Sequence, residues 1–391
     1  MELLPFFEPT DANIYLPEGE NINPQLLVSR IWFSSKDNEP DLSNIDIAVL
    51  GVPEARYSAN NEDSKVAPNE IRKEFYKLFY WKKEVSVLDL GNLILGKTVE
   101  DTYAALSDII AYLLEEKVTP IILGGSNDLA FANYQAYQKL EKIVNIVSVD
   151  SKFDLGNEKE PISSDGYLNK IVLQQPNYLL NYSNIGYQTY LNGREDIELM
   201  NQLYFETYRV GVLRKDMDEI EPIVRNAEML ALDISAVRQC DAPGNANASV
   251  NGFYGEEICH IALFAGLSDK LSSFGIYEYN PLLDYNTQTS QLIGQIIWYF
   301  IEGFSHRQND IWFKDQEQYI RQVIPVTNAL SELIFYQSKK TGRWWIEVPF
   351  FHIKTQQDKK YFLPCSKNDF DTACKDTVPE RWWRAYHKLN R

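Results

Sequence analysis

The sequence predicts an α/β fold with three layers, in which a mostly parallel sheet is covered by helices on both faces. Short, continuous apolar segments, typical of buried parallel strands, alternate with segments of helical periodicity. Polar or acidic residues recur where these apolar segments end, which is where the ligand crevice of such sheets lies. From about residue 305 the alternation stops, and a C-terminal hairpin and helix are expected.

Strand and helix patterns follow one another from about residue 45. The predicted strands are, in order, DIAVLGVP, VSVLDLG, TPIILGG, VNIVSVD, YSNIGYQTY, YRVGV, MLALDIS and FGIYEYN. Helices are predicted between them at residues 68–83 and 101–117 and in the segments DLAFANYQAYQKL and EEICHIALFAGL. This order favours parallel strands joined by crossover helices.

The chain divides into three predicted parts. Residues 1–44 form an irregular N-terminal arm with Pro and Asn punctuation, and residues 45–305 form the α/β domain. Residues 306–391 form an extension packed on the same domain, with a hairpin around Lys340 and a helix that begins near Pro379. Paired tryptophans in this extension are expected to be half buried, or to bind a protein partner if they are exposed.

The chain is strongly acidic, with 55 Asp and Glu against 38 Lys and Arg and a formal net charge of −17. This charge repels phosphate backbones and anionic lipid, so nucleic acid and membrane surfaces are excluded as partners. The N-terminal segment MELLPFFEPTDANIY has neither a basic start nor a long apolar run, so no membrane insertion is expected. The four cysteines lack CxxC spacing and are expected to be reduced thiols, which indicates a cytoplasmic protein.

Three strand ends carry the most informative motifs: IILGGSNDLAFA, VSVDSKFDLG and LALDISAVRQCDAPG. Together with GVPEARY, PNEIR, VLDLGN and EYNPLLD, they resemble the arginase or ureohydrolase family, which includes arginases, agmatinases and formimidoylglutamases. Members of that family carry GGDH, DAHxD and SxDxD at the three strand ends. The resemblance covers residues 45–305 and implies the arginase-type fold. The segment IGYQTYLNG and the chain length point toward the formimidoylglutamase branch.

The resemblance also implies a chemistry. In the family, two His and four Asp hold a pair of Mn²⁺ ions that lower the pKa of a bridging water, and the hydroxide attacks a guanidinium, amidine or formimino carbon. Three matching ligand positions keep their carboxylate in this chain, at Asp150, Asp154 and Asp233. Glu278 matches the substrate-side Glu of the family, although a carboxylate before Asn-Pro also suits a turn.

The other ligand positions differ. Asn127 stands where the family has its first His and is preceded by Ser126; Lys152 replaces the second His, and Ser235 replaces an Asp. No shift of the motifs recovers an imidazole, because all histidines lie at or after residue 260. They are His260, His306, His352 and His387.

Lys152 suggests a replacement for the metal. Converging carboxylates repel one another unless a cation lies among them. An ammonium at Lys152 would pair with Asp150, Asp154 or Asp233 and oppose metal binding, so Lys152→Ala is expected to destabilise the fold.

Two functions follow from these departures. The first is an arginase-fold pseudoenzyme, a non-catalytic binding or assembly module with its three carboxylates unoccupied and no cofactor; the alternative for these carboxylates is a single Mg²⁺ or Ca²⁺ ion held by Asp and hydroxyl oxygens. Its crevice, lined by Ser126, Asn127, Lys152, Ser235 and Glu278, would take a small cationic or amino-acid-like ligand, or the protein would bind an unknown protein partner or a second copy of itself.

The second is a functioning hydrolase of linear amidines, formimidoylglutamase-like or guanidino-specific. Its centre would be altered and metal-poor, with Mn²⁺ as the cofactor. Metal content discriminates between the two functions.

Overall fold

The computed structural model describes residues 1–10, 15, 23–81, 83–156, 161–310, 316–327, 331–352 and 356–390. Within these residues the strands form one ten-stranded sheet and one four-stranded sheet. The strands of the large sheet are β1 (Phe7–Glu8), β2 (Trp32–Phe33), β3 (Ile47–Val52), β4 (Val87–Leu93), β5 (Thr119–Gly124), β6 (Val144–Val149), β7 (Leu179–Tyr187), β8 (Glu206–Arg209), β9 (Met229–Asp233) and β10 (Ser273–Tyr277).

The large sheet has the order β1-β4-β3-β5-β10-β9-β6-β7-β8, with β2 beside β4. Only the edge strand β1 is antiparallel to its neighbour. Strands β5, β10, β9 and β6 are therefore consecutive and parallel, so their carboxyl ends open on one edge of the sheet.

Helices cover both faces of this sheet. They are α1 (Ala67–Phe75), α2 (Val99–Glu115), α3 (Leu129–Lys139), α4 (Tyr167–Leu173), α5 (Arg194–Gln202), α6 (Val210–Leu213), α7 (Ile220–Arg225), α8 (Gly255–Leu267) and α9 (Gln288–Ser305). Alternate strand residues enter two separate apolar clusters, as Ile47 and Leu50 do in β3. One cluster contains α1 and α6–α9, and the other contains α2–α5. The predicted three-layer α/β fold is confirmed.

The C-terminal part is larger than the predicted hairpin and helix. Strands β11 (Tyr319–Val326), β12 (Ser331–Ser338), β13 (Trp344–His352) and β14 (Gln357–Cys365) form the antiparallel sheet, followed by α10 (Lys367–Ala373) and α11 (Glu380–Leu389). Arg225 of α7 joins this sheet to the main domain, since its Nη2 donates to the carbonyl of Trp344 at 3.1 Å and its guanidinium lies 4.4 Å from the ring centroid of Trp345. Trp344, Trp345 and Trp382 are buried.

Two segments near the N-terminus differ from their predicted conformation. The first 44 residues, predicted as irregular, contribute β1 and β2 to the edge of the sheet. The helix predicted at 68–83 ends at Phe75, because the chain beyond it bonds to the N-terminal arm. Leu27 N–H donates to the carbonyl of Leu78 at 2.9 Å, and Tyr80 N–H donates to that of Gln25 at 2.8 Å. Hydrogen bonds to the N-terminal arm thus prevent residues 76–81 from continuing the helix that their periodicity predicts.

A fully buried ion pair fastens α1 to the sheet. Arg72 Nε and Nη2 donate to the two carboxylate oxygens of Asp89 in β4, at 2.7 and 2.9 Å, and Nη2 also donates to the carbonyl of Gly91 at 2.9 Å. Both side chains have no exposed surface, and the hydroxyl of Tyr76 completes the carboxylate's hydrogen bonds. These residues belong to the PNEIR and VLDLGN motifs, which therefore have a structural role.

None of the helices among the described residues combines the length and the apolar character that crossing a membrane requires.

Replacing Arg72 by Met removes the cation that Asp89 needs. We expect a loss of about 3–5 kcal/mol in the free energy of unfolding, because a buried carboxylate is left without its partner. Urea denaturation measures this change. The control is Lys73→Ala, which breaks a half-exposed pair with Glu70 on the same helix and should cost less than about 1 kcal/mol. Equal losses of unfolding free energy in the two variants would show that the buried Arg72–Asp89 pair stabilises the fold no more than the half-exposed pair.

Candidate active site

Four buried polar side chains meet at the carboxyl edge of the sheet. Asn127 follows β5, Glu278 follows β10, Asp233 ends β9 and Asp150 follows β6. Because these strands are consecutive and parallel, residues far apart in sequence become neighbours. Each of the four side chains is at least nine-tenths buried.

Asp150, Asp154 and Asp233 form the carboxylate cluster of this site. One oxygen from each lies within 4.8 Å of one from each of the others. Asp154 has a left-handed backbone (φ 49°), which short polar residues tolerate and which turns the chain after β6. Backbone N–H groups hold the other two carboxylates: Lys152 donates to Asp150 at 2.8 Å, and Ser235 donates to Asp233 at 2.6 Å.

Burial and mutual repulsion favour the protonated form of this cluster. Desolvation, followed by the charge of Asp154, raises the pKa of Asp150 well above its usual value. Desolvation also raises the pKa of Asp154 to about 8, and together with Asp150 it raises that of Asp233. A divalent cation among these oxygens would favour ionisation instead.

Asn127 connects the carboxylate cluster to Glu278. Its backbone N–H donates to Glu278 Oε1 at 2.8 Å, and its Nδ2 donates to Asp154 Oδ2 at 2.9 Å. Its Oδ1 is buried and has no hydrogen-bond partner in the described part of the chain. A buried amide oxygen beside three carboxylates is an unused ligand atom, since an asparagine amide can rotate to exchange its oxygen and nitrogen.

Glu278 is held by neutral donors. Asn61 Nδ2 donates to its Oε2 at 2.8 Å, and Asn245 Nδ2 donates to its backbone carbonyl at 2.7 Å. The Glu278 backbone N–H donates to the carbonyl of Gly125 at 2.8 Å. The Glu278 backbone has φ 66°, an unusual conformation for Glu that often marks a functional position. Desolvation and the charge of Asp233 raise the pKa of the Glu278 carboxyl. Asn61 and Asn245 lie outside the sequence motifs of the site, because no regular spacing relates them to Glu278.

Lys152 does not pair with the carboxylate cluster, so the prediction that its ammonium replaces the metal is wrong. Its Nζ lies 3.8 Å from Asp165 Oδ1. Among the described residues, no other carboxylate lies within 4.0 Å of this ammonium. About a third of its side chain (34%) is exposed. The physical reason is that an ammonium keeps more hydration at the crevice mouth than inside the cluster.

The two serines of the crevice differ in their contacts. Ser126 Oγ donates to the carbonyl of Glu54 at 3.3 Å, whereas Ser235 hydrogen-bonds to Asp233 through its backbone N–H at 2.6 Å and through its side chain. No histidine belongs to the cluster in the described chain. His306, for example, bonds within α9 to the carbonyl of Glu302 at 2.8 Å.

The sequence profile of the Arginase family matches residues 45–302. The chain belongs to the arginase family. Formimidoylglutamase from Staphylococcus haemolyticus is 25% identical to this arginase-family protein over 285 residues, which cover 69% of this chain and 91% of that one. Formimidoylglutamase from Lysinibacillus sphaericus is 26% identical over 242 residues, covering 58% and 73%.

Solved structures agree on the fold. Trypanosoma cruzi formiminoglutamase with Mn²⁺₂ superposes on this arginase-family chain with a TM-score of 0.65 at 18% identity, covering 72% of this chain and 99% of that one. Bacillus subtilis formimidoylglutamase superposes with a TM-score of 0.62 at 17% identity, covering 75% and 98%. An asparagine-to-histidine variant of the Trypanosoma cruzi protein was also solved with Mn²⁺.

These relatives overturn the prediction of a pseudoenzyme. The proteins that this chain resembles in sequence and in structure are formimidoylglutamases, which favours the hydrolase alternative over a non-catalytic module. The pseudoenzyme prediction rested on the replaced ligand positions at Asn127, Lys152 and Ser235, and it gave too little weight to the three carboxylates that remain together.

The metal-free protein should lose stability as the pH rises. The pKa of Asp154 is about 8 when folded and close to 3.9 when unfolded, so between these values the folded state binds the extra proton and deprotonation favours unfolding. We expect the Tm of EDTA-treated protein to fall from about pH 5 to about pH 8 more steeply than that of Asp154→Asn. The control is Glu115→Gln, an exposed position on α2 that should follow the parent protein. If the Tm of the parent protein and that of Asp154→Asn changed equally with pH, the raised pKa would not belong to Asp154.

Proposed function

We propose that this protein hydrolyses a linear amidine, with a formimino amino acid of the formimidoylglutamate type as its substrate. The observation that carries the proposal is the buried cluster of Asp150, Asp154 and Asp233 at the carboxyl edge of the sheet. The cluster occurs in a chain that resembles formimidoylglutamases over about two thirds of its length.

The cluster fits a divalent metal ion. Three buried carboxylates without a cation inside the cluster, and one unpartnered amide oxygen from Asn127, form a set of hard oxygen donors. Mn²⁺ is the ion in the related Trypanosoma cruzi structure. A bound divalent cation would make a nearby water acidic enough to act as a nucleophile at neutral pH.

Glu278 is placed to orient the amidine. Each of its oxygens accepts one hydrogen bond, from the Asn127 N–H and from Asn61 Nδ2, and each retains a second lone pair. An amidinium N–H can use these lone pairs, and its positive charge would stabilise the ionised carboxylate. The neutral donors around Glu278 fix its direction without neutralising its charge.

Lys152 favours an anionic substrate over a purely cationic one. Its ammonium lies at the partly exposed side of the crevice, and its one ion pair within 4.0 Å in the described part of the chain is a long contact of 3.8 Å with Asp165. A substrate carboxylate can approach this ammonium while its formimino group points toward the carboxylate cluster. A formimino amino acid combines both groups, whereas a guanidino amine without a carboxylate does not.

The activity is tested by incubating the purified, Mn²⁺-loaded protein with formimidoylglutamate and measuring release of glutamate and formamide. We expect turnover that Asp233→Asn reduces about 100-fold or more, because this variant removes a carboxylate from the centre. Agmatine and arginine serve as comparison substrates. Release no faster than that of Asp233→Asn on every substrate would refute the proposal.

Lys152→Gln tests the choice of substrate. Loss of the ammonium should raise KM for formimidoylglutamate about tenfold, equivalent to about 1.4 kcal/mol, with a smaller change in kcat. A formimino compound without carboxylates should show no such increase. Lys142→Gln, an exposed substitution between α3 and β6 at the opposite edge of the sheet, is the control. An unchanged KM for both substrates would remove Lys152 from the recognition of the carboxylate.

A further inference from the structure

We propose that the carboxylate cluster holds one hard divalent cation per chain, rather than two. This inference rests on the site used in the proposed function and specifies its metal content. Its first support is geometric: the three ligand oxygens of Asp150, Asp154 and Asp233 all lie within 4.8 Å of one another. Opposed oxygens on a single Ca²⁺ ion, at about 2.3–2.6 Å each, lie about 4.6–5.2 Å apart, and they lie closer on smaller ions. One coordination sphere therefore accommodates the whole cluster.

The unpartnered oxygen of Asn127 supplies an independent observation. Asn127 is 1% exposed, and its amide lies against Asp154, with Nδ2 at 2.9 Å from Oδ2. The amide nitrogen faces the carboxylates, and Oδ1 has no hydrogen-bond partner among the described residues. Rotation of the amide would turn Oδ1 toward the same point, where a cation favours an oxygen. The buried, unsatisfied atom thereby becomes the fourth ligand.

The charges at the site favour one divalent ion over two. The carboxylate cluster carries three negative charges when ionised, so one divalent ion leaves it at −1 and two would leave it at +1. The ammonium of Lys152, although paired with Asp165, is a further positive charge near the cluster and opposes a second ion. A second ion would leave an excess of positive charge in a buried region.

The described residues offer few ligands for a second ion. Each oxygen of Glu278 accepts one hydrogen bond, from Asn61 or Asn127, and its remaining lone pairs are those that the proposed function assigns to the substrate amidinium. Ser126 Oγ is bonded to the carbonyl of Glu54, and Ser235 hydrogen-bonds to Asp233.

The donor set also determines the class of metal. All four donors are carboxylate or amide oxygens, and no imidazole or thiolate joins them among the described residues. Oxygen donors suit Mg²⁺, Ca²⁺ and Mn²⁺, whereas nitrogen and sulfur donors favour the later transition metals. We therefore expect Mn²⁺ to be bound reversibly and to be displaced by Mg²⁺ or Ca²⁺.

The test is a titration of EDTA-stripped, full-length protein with Mn²⁺, followed by calorimetry, elemental analysis and electron paramagnetic resonance. We expect one Mn²⁺ per chain and the six-line spectrum of an isolated ion, with release on addition of excess Mg²⁺ or Ca²⁺. Asp233→Asn should abolish tight binding. Asn127→Ala should weaken it about tenfold, and Asn127→Asp, which keeps an oxygen at that position, should restore it. Circular dichroism verifies that each variant is folded.

The outcomes separate this inference from the proposed function. Two Mn²⁺ per chain with an exchange-coupled spectrum would overturn the single-ion inference and leave the hydrolase proposal in place. No tight binding, or binding that Asp233→Asn does not change, would also overturn the inference. One tightly bound ion without turnover of any formimino substrate would support the inference and contradict the proposed function.

Discussion

The electrostatic cost of three buried carboxylates is the constraint on which this molecule's site depends. Asp150, Asp154 and Asp233 converge because β6 and β9 are adjacent and parallel, so the turn after one strand meets the end of the other. Their charges cannot coexist in a region of low dielectric constant without protons or a cation. Raised pKa values, the exposed position of Lys152 and the unpartnered amide oxygen are different consequences of this one arrangement.

Comparison with a second buried carboxylate shows why the carboxylate cluster indicates function. Asp89 lies in the same sheet and is equally buried, but Arg72 supplies a cation in bidentate contact. That ion pair is complete within the chain and stabilises the packing of α1. The carboxylate cluster has no equivalent partner in the described residues, so its charge is left to be matched by something the polypeptide does not supply.

In the proposed hydrolase, the altered ligand set changes the chemistry of the site without removing it. Asn127 places its amide against the cluster, and Lys152 and Ser235 provide backbone N–H groups to the two neighbouring carboxylates. The Lys152 side chain, turned toward Asp165, leaves the centre open to a cation and adds a positive charge at the crevice mouth. The proposed hydrolase combines a sparse metal centre with recognition of an anionic substrate.

The amino-acid sequence by itself determined the alternation of strands and helices, the carboxylates at the strand ends and the likeness to the arginase family. Local periodicity and short motifs carry this information, because each depends on neighbouring residues. Only the tertiary structure decided the direction of the Lys152 side chain, the contacts of Asn61 and Asn245 with Glu278, and the early end of α1 at Phe75. These features depend on contacts between segments that are far apart in the sequence. The spacing of the residues along the chain does not predict such contacts. The replaced ligand positions therefore suggested an inactive centre, whereas the three remaining carboxylates, which the fold brings together, support the proposed metal site.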